Sequence, residues 1–168
     1  TIGDPNGIGI EIILKSLSNF SLFHECNFII YASTGLIEKQ KQHFQIDTPS
    51  IIKIDSEEDL LDTQINIKEV FSNSQFNFGE SDKELSALGI LSLKEATKAI
   101  KDNKIDVLVT APINKNLSYS SAFKYKGHTD FLKHYFSTNP LMLMRSDELK
   151  IALLTDHIPI KDVSNAIN

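Results

Sequence analysis

The sequence predicts an α/β protein, an open sheet flanked by helices. Three observations point there. Short continuous apolar runs, such as Cys26–Ala32 and Asp106–Thr110, have the character of buried parallel strands. Segments with apolar residues at helical spacing alternate with them. The chain's 168 residues are enough for one substantial core and too few for two comfortable ones.

Taken in order, Gly3-Asp4-Pro5-Asn6-Gly7-Ile8-Gly9 is a run of turn formers, and Ile10, Ile13, Leu14 and Leu17 then repeat at helical spacing. This is a tight loop feeding a helix, with two readings: a ligand-contacting loop, or glycines that only let the helix pack closely. It is neither a dinucleotide fingerprint nor a Walker A sequence. Residues 26–32 read as a strand that buries the lone cysteine, Cys26. Leu36–His43 reads as a charged surface helix and Ile51–Ile54 as a strand. Ser56–Asp59 starts either a capped acidic helix or a loop. Residues 62–80 read as connection, with an edge strand at Ile65–Val70.

The strongest helical signal covers 81–102. Ser81 with Glu84 suggests a capping box, Gly89 is a mild interruption, and Leu85, Leu88, Ala96 and Ala99 contribute to the apolar face. The buried strand expected at 106–110 leads into Ala111-Pro112-Ile113-Asn114-Lys115. In an open α/β sheet this is the end at which ligands bind, so Asn114 and Lys115 are placed to reach an anion. Gly127-His128-Thr129-Asp130 then stands before a helical run, with Gly127 read as a sharp turn. An imidazole and a hydroxyl at a helix mouth suit a phosphate or carboxylate and can move a proton, although Thr129 can equally be a plain N-cap. Leu141–Met144 and Lys150–Thr155 read as strands. The second ends in Asp156-His157-Ile158-Pro159, where neutral imidazole can ligate a divalent metal, and a helix begins beyond it. His24, His43 and His134 read as structural.

A net charge of −5 gives no sign of nucleic-acid or membrane-surface binding, and no apolar run is long enough to span a bilayer. A single cysteine forms no internal disulfide, which fits a cytoplasmic setting. Both ends look cut, so residues 1–168 are expected to be an incomplete part of a longer two-lobed chain.

Four stretches in one order carry a resemblance. Gly3–Gly9, Val109-Thr110-Ala111-Pro112-Ile113-Asn114-Lys115, Gly127-His128-Thr129-Asp130-Phe131-Leu132 and Ile151–Val163 together resemble the 4-hydroxythreonine-4-phosphate dehydrogenase family of pyridoxine (vitamin B6) biosynthesis, across its N-terminal half. The resemblance implies an isocitrate/isopropylmalate dehydrogenase-like fold and a homodimer with its active site shared between subunits. It implies NAD (or NADP) and a divalent metal (Zn, Mg or Co) as cofactors, and a small phosphorylated hydroxy-amino acid as substrate. The reaction implied is oxidation and decarboxylation of 4-phosphooxy-threonine to 3-amino-2-oxopropyl phosphate.

The family's substrate-contacting pair falls on His128 and Thr129, and its first metal histidine falls on His157. Where the family has Thr-Thr-His-Leu-Pro-Leu this chain has Thr-Asp-His-Ile-Pro-Ile, so Asp156 departs from the pattern in a position that can alter the imidazole's surroundings. The other metal histidines and phosphate-gripping residues are expected beyond position 168. No residue is assigned to the cofactor or to proton transfer, and 1–168 alone is expected to be inactive. His128 and His157 are expected to face one cleft. The competing readings are a related metal- and NAD-dependent decarboxylating dehydrogenase of another hydroxy acid, a non-catalytic phosphate-ligand-binding α/β domain, and a phosphoacetyl- or phosphobutyryltransferase.

Overall fold

A computed structural model describes residues 1–119 and 123–167. The chain divides into two compact units, Thr1–His128 and Thr129–Asn168.

The first unit is built on three parallel strands. Helix α1 (Gly9–Leu17) precedes strand β1 (Phe28–Ala32), helix α2 (Thr34–Phe44), strand β2 (Ile51–Ile54) and strand β3 (Ile65–Glu69). The order across the sheet is β1-β3-β2, with Ile30 opposite Ile67 and Lys53 opposite the same residue on the other side. Sequence reasoning makes Ile65–Val70 an edge strand; it is the central one, and Ile65, Asn66 and Ile67 are all buried. Ile65-Asn66-Ile67-Lys68 alternates apolar and polar, so Asn66 reads as a surface-facing position of a half-exposed strand. In the fold its amide is consumed: Oδ1 accepts from the Leu61 N–H (3.0 Å), and Nδ2 donates to the carbonyls of Phe28, Leu61 and Gln64.

Side chains alternate across β1. Ile30 and Ala32 join Ile65 and Ile67, and α1 (Ile10, Leu14, Leu17) and α2 (Leu36, Ile37) cover that face. Ile29 and Tyr31 point to the other face, where Ala96 and Ala99 of helix α3 (Lys83–Lys101) lie. The α3 cap is Asp82 rather than Ser81: its Oδ1 accepts from the N–H groups of Glu84 (2.8 Å) and Leu85 (3.0 Å), so the helix starts two residues after Ser81. Ser56 does form the capping box, around a single 3₁₀ turn at Glu57–Asp59. Cys26 is exposed and lies ahead of β1; its side chain is not in the sheet.

Residues 106–110 are not a buried strand. Val107 is 72% and Val109 74% exposed, and only Ile105 and Leu108 pack onto the Tyr31 cluster. The segment instead runs beside the chain's first residues. Thr1 donates from its amine to the Val109 carbonyl (2.7 Å), Ala111 N–H to the Thr1 carbonyl (3.1 Å), and Asp4 N–H to the Pro112 carbonyl (2.9 Å). A single helical turn, α4 (Lys115–Ser118), follows.

Helix α5 (His128–Phe136) begins at the boundary and belongs mostly to the second unit, with strands β4 (Met142–Arg145) and β5 (Lys150–Leu153) and a terminal turn of helix, α6 (Val163–Ala166). Strand-like runs at these positions suggest members of the open sheet. They form an antiparallel hairpin of their own, with Met142 opposite Leu153, closed where Ser146 N–H donates to the Leu149 carbonyl (2.8 Å). Leu141, Leu143, Met144 and Ile151 on it are exposed. Among the described residues no helix is long and apolar enough to cross a membrane.

Candidate functional site

Three stretches that lie far apart in sequence are locked together by backbone contact. Gly3 has φ +67, a left-handed conformation that side chains resist. A Cβ on it would stand 2.1 Å from the Pro112 carbonyl oxygen, and a Cβ on Gly89 would stand 2.1 Å from the Gly3 carbonyl oxygen. So Gly3 is sandwiched between α3 and the 109–112 segment with no room for a methyl group. Gly89, which looks like a helix interruption in the sequence, is where α3 admits that backbone.

Of the two readings of the Gly3–Gly9 loop, the contacts carry the packing one. Asp4 Oδ1 accepts from Asn6 N–H (3.0 Å), and its Oδ2 accepts from Ser86 Oγ (3.2 Å). Asn6 is buried: its Oδ1 accepts from Asn77 N–H (2.8 Å) and its Nδ2 donates to the Glu80 carbonyl (3.0 Å). Gln40 Nε2 reaches the Pro5 carbonyl (2.9 Å). The loop's polar side chains are therefore spent on holding residues 77–80, α2 and α3.

This clamp fixes the segment that delivers Asn114 and Lys115. Asn114 caps α4, its Oδ1 accepting from Leu117 N–H (3.3 Å), so its side chain is engaged. Lys115 is exposed, and a Cβ on Gly127 would lie 3.6 Å from its Cε, so the lysine stem passes over the Gly127 bend. Gly127 itself does not occupy the left-handed region, and that contact is an ordinary one. The chain bends at Gly127, as the sequence suggests, in a conformation that does not require glycine.

His128 follows. The residue is half-buried, and its Nε2 is shielded from solvent with no hydrogen-bond partner among the described residues. Burial first, and the positive charge of Lys115 after it, hold the imidazole below the usual histidine range. At neutral pH it is a neutral ring with one unfilled nitrogen, able to donate or accept one hydrogen bond. Thr129 is exposed, at the start of α5.

His157 lies in the second unit, four residues past β5, in the turn before Pro159. Its side chain is 94% exposed, and its Nε2 is 3.5 Å from Asp156 Oδ1, so the departure at position 156 sets a carboxylate beside the ring. Its backbone sits at φ 54, a left-handed conformation unusual outside glycine, though histidine is among the residues that tolerate it best. No group of three or more metal-ligating side chains forms among the described residues. A catalytic divalent ion takes about three protein ligands, so the donor set here is incomplete: one imidazole, one adjacent carboxylate. His24 and His134 are exposed, the latter with Nδ1 2.8 Å from the Asp130 carbonyl. His43 packs edge-on to Phe44 and Phe76 and tilted against Phe78.

The family model described as "Pyridoxal phosphate biosynthetic protein PdxA" matches residues 24–168. The chain belongs to this family. It is 35% identical over 168 residues to 4-hydroxythreonine-4-phosphate dehydrogenase of Sulfurihydrogenibium sp. (strain YO3AOP1), covering 99% of this chain and 51% of the relative. To the enzyme of that name from Campylobacter fetus subsp. fetus it is 32% identical, covering 99% and 50%. Its fold superposes on a crystal structure of a 4-hydroxythreonine-4-phosphate dehydrogenase from Burkholderia phymatum with a TM-score of 0.85 at 25% identity, covering 98% of this chain and 51% of that one. This PdxA-family chain thus has the isocitrate/isopropylmalate dehydrogenase-like α/β fold and spans about half the length of the relatives it matches.

Sequence reasoning misses Ser86, Ser92 and the role of Gly89, the α3 residues that seat the Gly3 loop. A small residue recurring at Ser86, Gly89, Ser92 and Ala96, three or four apart, is the signal that could find them.

Proposed function

We propose that this chain supplies the His128- and His157-bearing half of a 4-hydroxythreonine-4-phosphate dehydrogenase. The reaction is NAD- (or NADP-) dependent oxidation of the secondary alcohol of 4-phosphooxy-threonine, followed by loss of carbon dioxide to give 3-amino-2-oxopropyl phosphate. The observation that carries this reading is the match along the whole chain to relatives of that name, with Gly127-His128-Thr129 and Asp156-His157 present in it. The enzyme works as a cytoplasmic homodimer.

The roles follow from the side chains. His128, neutral and with Nε2 unfilled, offers one hydrogen bond to an oxygen of the substrate. Thr129 offers a hydroxyl beside it. His157 is one ligand of a divalent metal (Zn, Mg or Co), its exposed imidazole being free to turn toward an ion and Asp156 orienting it. The remaining ligands come from outside residues 1–168. The chemistry that a metal supplies in such a reaction is polarisation of the alcohol and then of the ketone oxygen. The hydride acceptor is the nicotinamide.

Purified intact protein is assayed for reduction of NAD with 4-phosphooxy-threonine and a divalent metal. Turnover is expected, and none from residues 1–168 alone. Full activity of the isolated 1–168 chain would overturn the division of the site; failure of the intact protein on this substrate would overturn the reaction.

A further inference from the structure

We propose that Lys115 is a further substrate-gripping residue, its ammonium closing together with the His128 imidazole on a phosphate group. This deepens the dehydrogenase reading and rests on it for the identity of the substrate.

Four observations carry it. The backbone that leads to Lys115 is pinned: Ala111 N–H and the Pro112 carbonyl bond to residues 1 and 4, and Gly3 is wedged between Pro112 and α3. Lys115's Cε lies 3.6 Å from where a Cβ on Gly127 would be, so its stem runs beside the residue that precedes His128. Among the described residues no carboxylate forms an ion pair with the Lys115 ammonium, and its neighbour Asn114 is already engaged as a cap. Finally, the ring whose charge state Lys115 influences is His128, whose Nε2 is out of water and without a partner among the described residues.

An exposed ammonium and an unfilled imidazole nitrogen at one bend are complementary to an oxyanion. A phosphate monoester supplies what both lack, several acceptor oxygens and negative charge. The imidazole donates from Nε2 to one oxygen, and the ammonium pairs with the same group. Such an anion also offsets the like-charge pressure of Lys115 on the ring. A hydrogen bond between charged groups contributes about 10- to 100-fold in affinity.

The test uses the intact protein with histidine rings labelled for NMR, and inorganic phosphate as the probe. In the unsubstituted protein phosphate is expected to shift the His128 resonance. Lys115→Gln is expected to weaken that binding about 10-fold or more and to raise the His128 titration point. In turnover, it raises KM for 4-phosphooxy-threonine about 10-fold with kcat within about 3-fold, and Lys115→Arg recovers most of the loss. Lys83→Gln, an exposed lysine at the start of α3, controls for loss of one positive charge. Lys115→Met keeps the stem and drops the charge, and is expected to match Lys115→Gln; urea midpoints confirm folding.

If Lys115→Gln and Lys115→Met bind phosphate and turn over like the unsubstituted protein, the proposal is wrong while the dehydrogenase reading stands. A phosphate effect at His128 that depends on Lys115, in a protein that does not oxidise 4-phosphooxy-threonine, supports the grip and overturns the reaction. Absence of a phosphate effect at His128 together with an unchanged KM overturns the grip.

Discussion

Replacing Gly89 by Ala in the intact protein tests whether the glycine contact organises the site. In a free helix this change stabilises by about 1 kcal/mol, because glycine loses more backbone entropy. Here the added Cβ would stand 2.1 Å from the Gly3 carbonyl oxygen and 2.7 Å from its carbonyl carbon, and Gly3 cannot retreat, since its own far side meets the Pro112 oxygen. Overpacking costs about 1–3 kcal/mol, and a clash of backbone against backbone on both sides belongs at the upper end. The net expectation is a loss of about 2 kcal/mol, roughly 30-fold in the folding equilibrium. Urea unfolding of Gly89→Ala against the unsubstituted protein measures it. Gly127→Ala is the comparison: its φ is ordinary and its Cβ would meet only the end of a flexible lysine at 3.6 Å, so it should lie within about 1 kcal/mol and on the stabilising side. A Gly89→Ala protein that is more stable by about 1 kcal/mol would refute the claim that Gly3 is seated on α3.

Ser92 is fully buried, donating from Oγ to the Tyr31 carbonyl (2.6 Å) and accepting from Ile2 N–H (3.3 Å), so Ser92→Ala should cost about 1–3 kcal/mol by leaving both backbone groups unpaired, read by urea midpoint. Glu57 is buried; burial pushes its carboxyl up, but its backbone hydrogen bond, the Tyr31 hydroxyl (3.1 Å) and the charges of Lys68 and Lys104 outweigh that and hold it below the usual range. Its stabilisation is therefore present above the unfolded value of about 4.3 and is lost as pH falls through the lower folded value, so Glu57→Gln should flatten the acid limb of a stability–pH curve. His128 is shifted down as well: below about pH 6.5 the unfolded chain takes a proton that the folded chain resists, so this ring should favour unfolding as pH falls, and its NMR titration should lie below the usual histidine range. His157→Ala should abolish turnover while changing stability by no more than about 0.5 kcal/mol, because the side chain is 94% exposed; a variant that keeps its activity would remove His157 from the metal.

Where local pattern and burial agree, the sequence is legible. The apolar positions of α1 lie on its buried face, Ile10, Leu14 and Leu17, and the continuous runs at 28–32 and 51–54 are strands. It misleads where the same pattern serves two ends. Residues 106–110 are apolar enough for a core strand, but Val107 and Val109 face solvent. The hairpin β4–β5 has strand-like residues, and pairing direction is a matter of register and turn, which composition does not encode. Asn66 looks like an edge residue only until its amide is seen satisfied on every side.

By itself, the amino-acid order determined the α/β class, the family, and the identity of the chemical groups at positions 128, 129 and 157, because those depend on residue type and on spacing along the chain. Only the tertiary structure decided that β3 is central, that Gly3, Gly89 and Pro112 share one contact, that the Lys115 stem lies beside Gly127, and that the His128 ring has an unfilled nitrogen. Those facts are contacts between residues distant along the chain, set by which faces bury together, and no local period carries them.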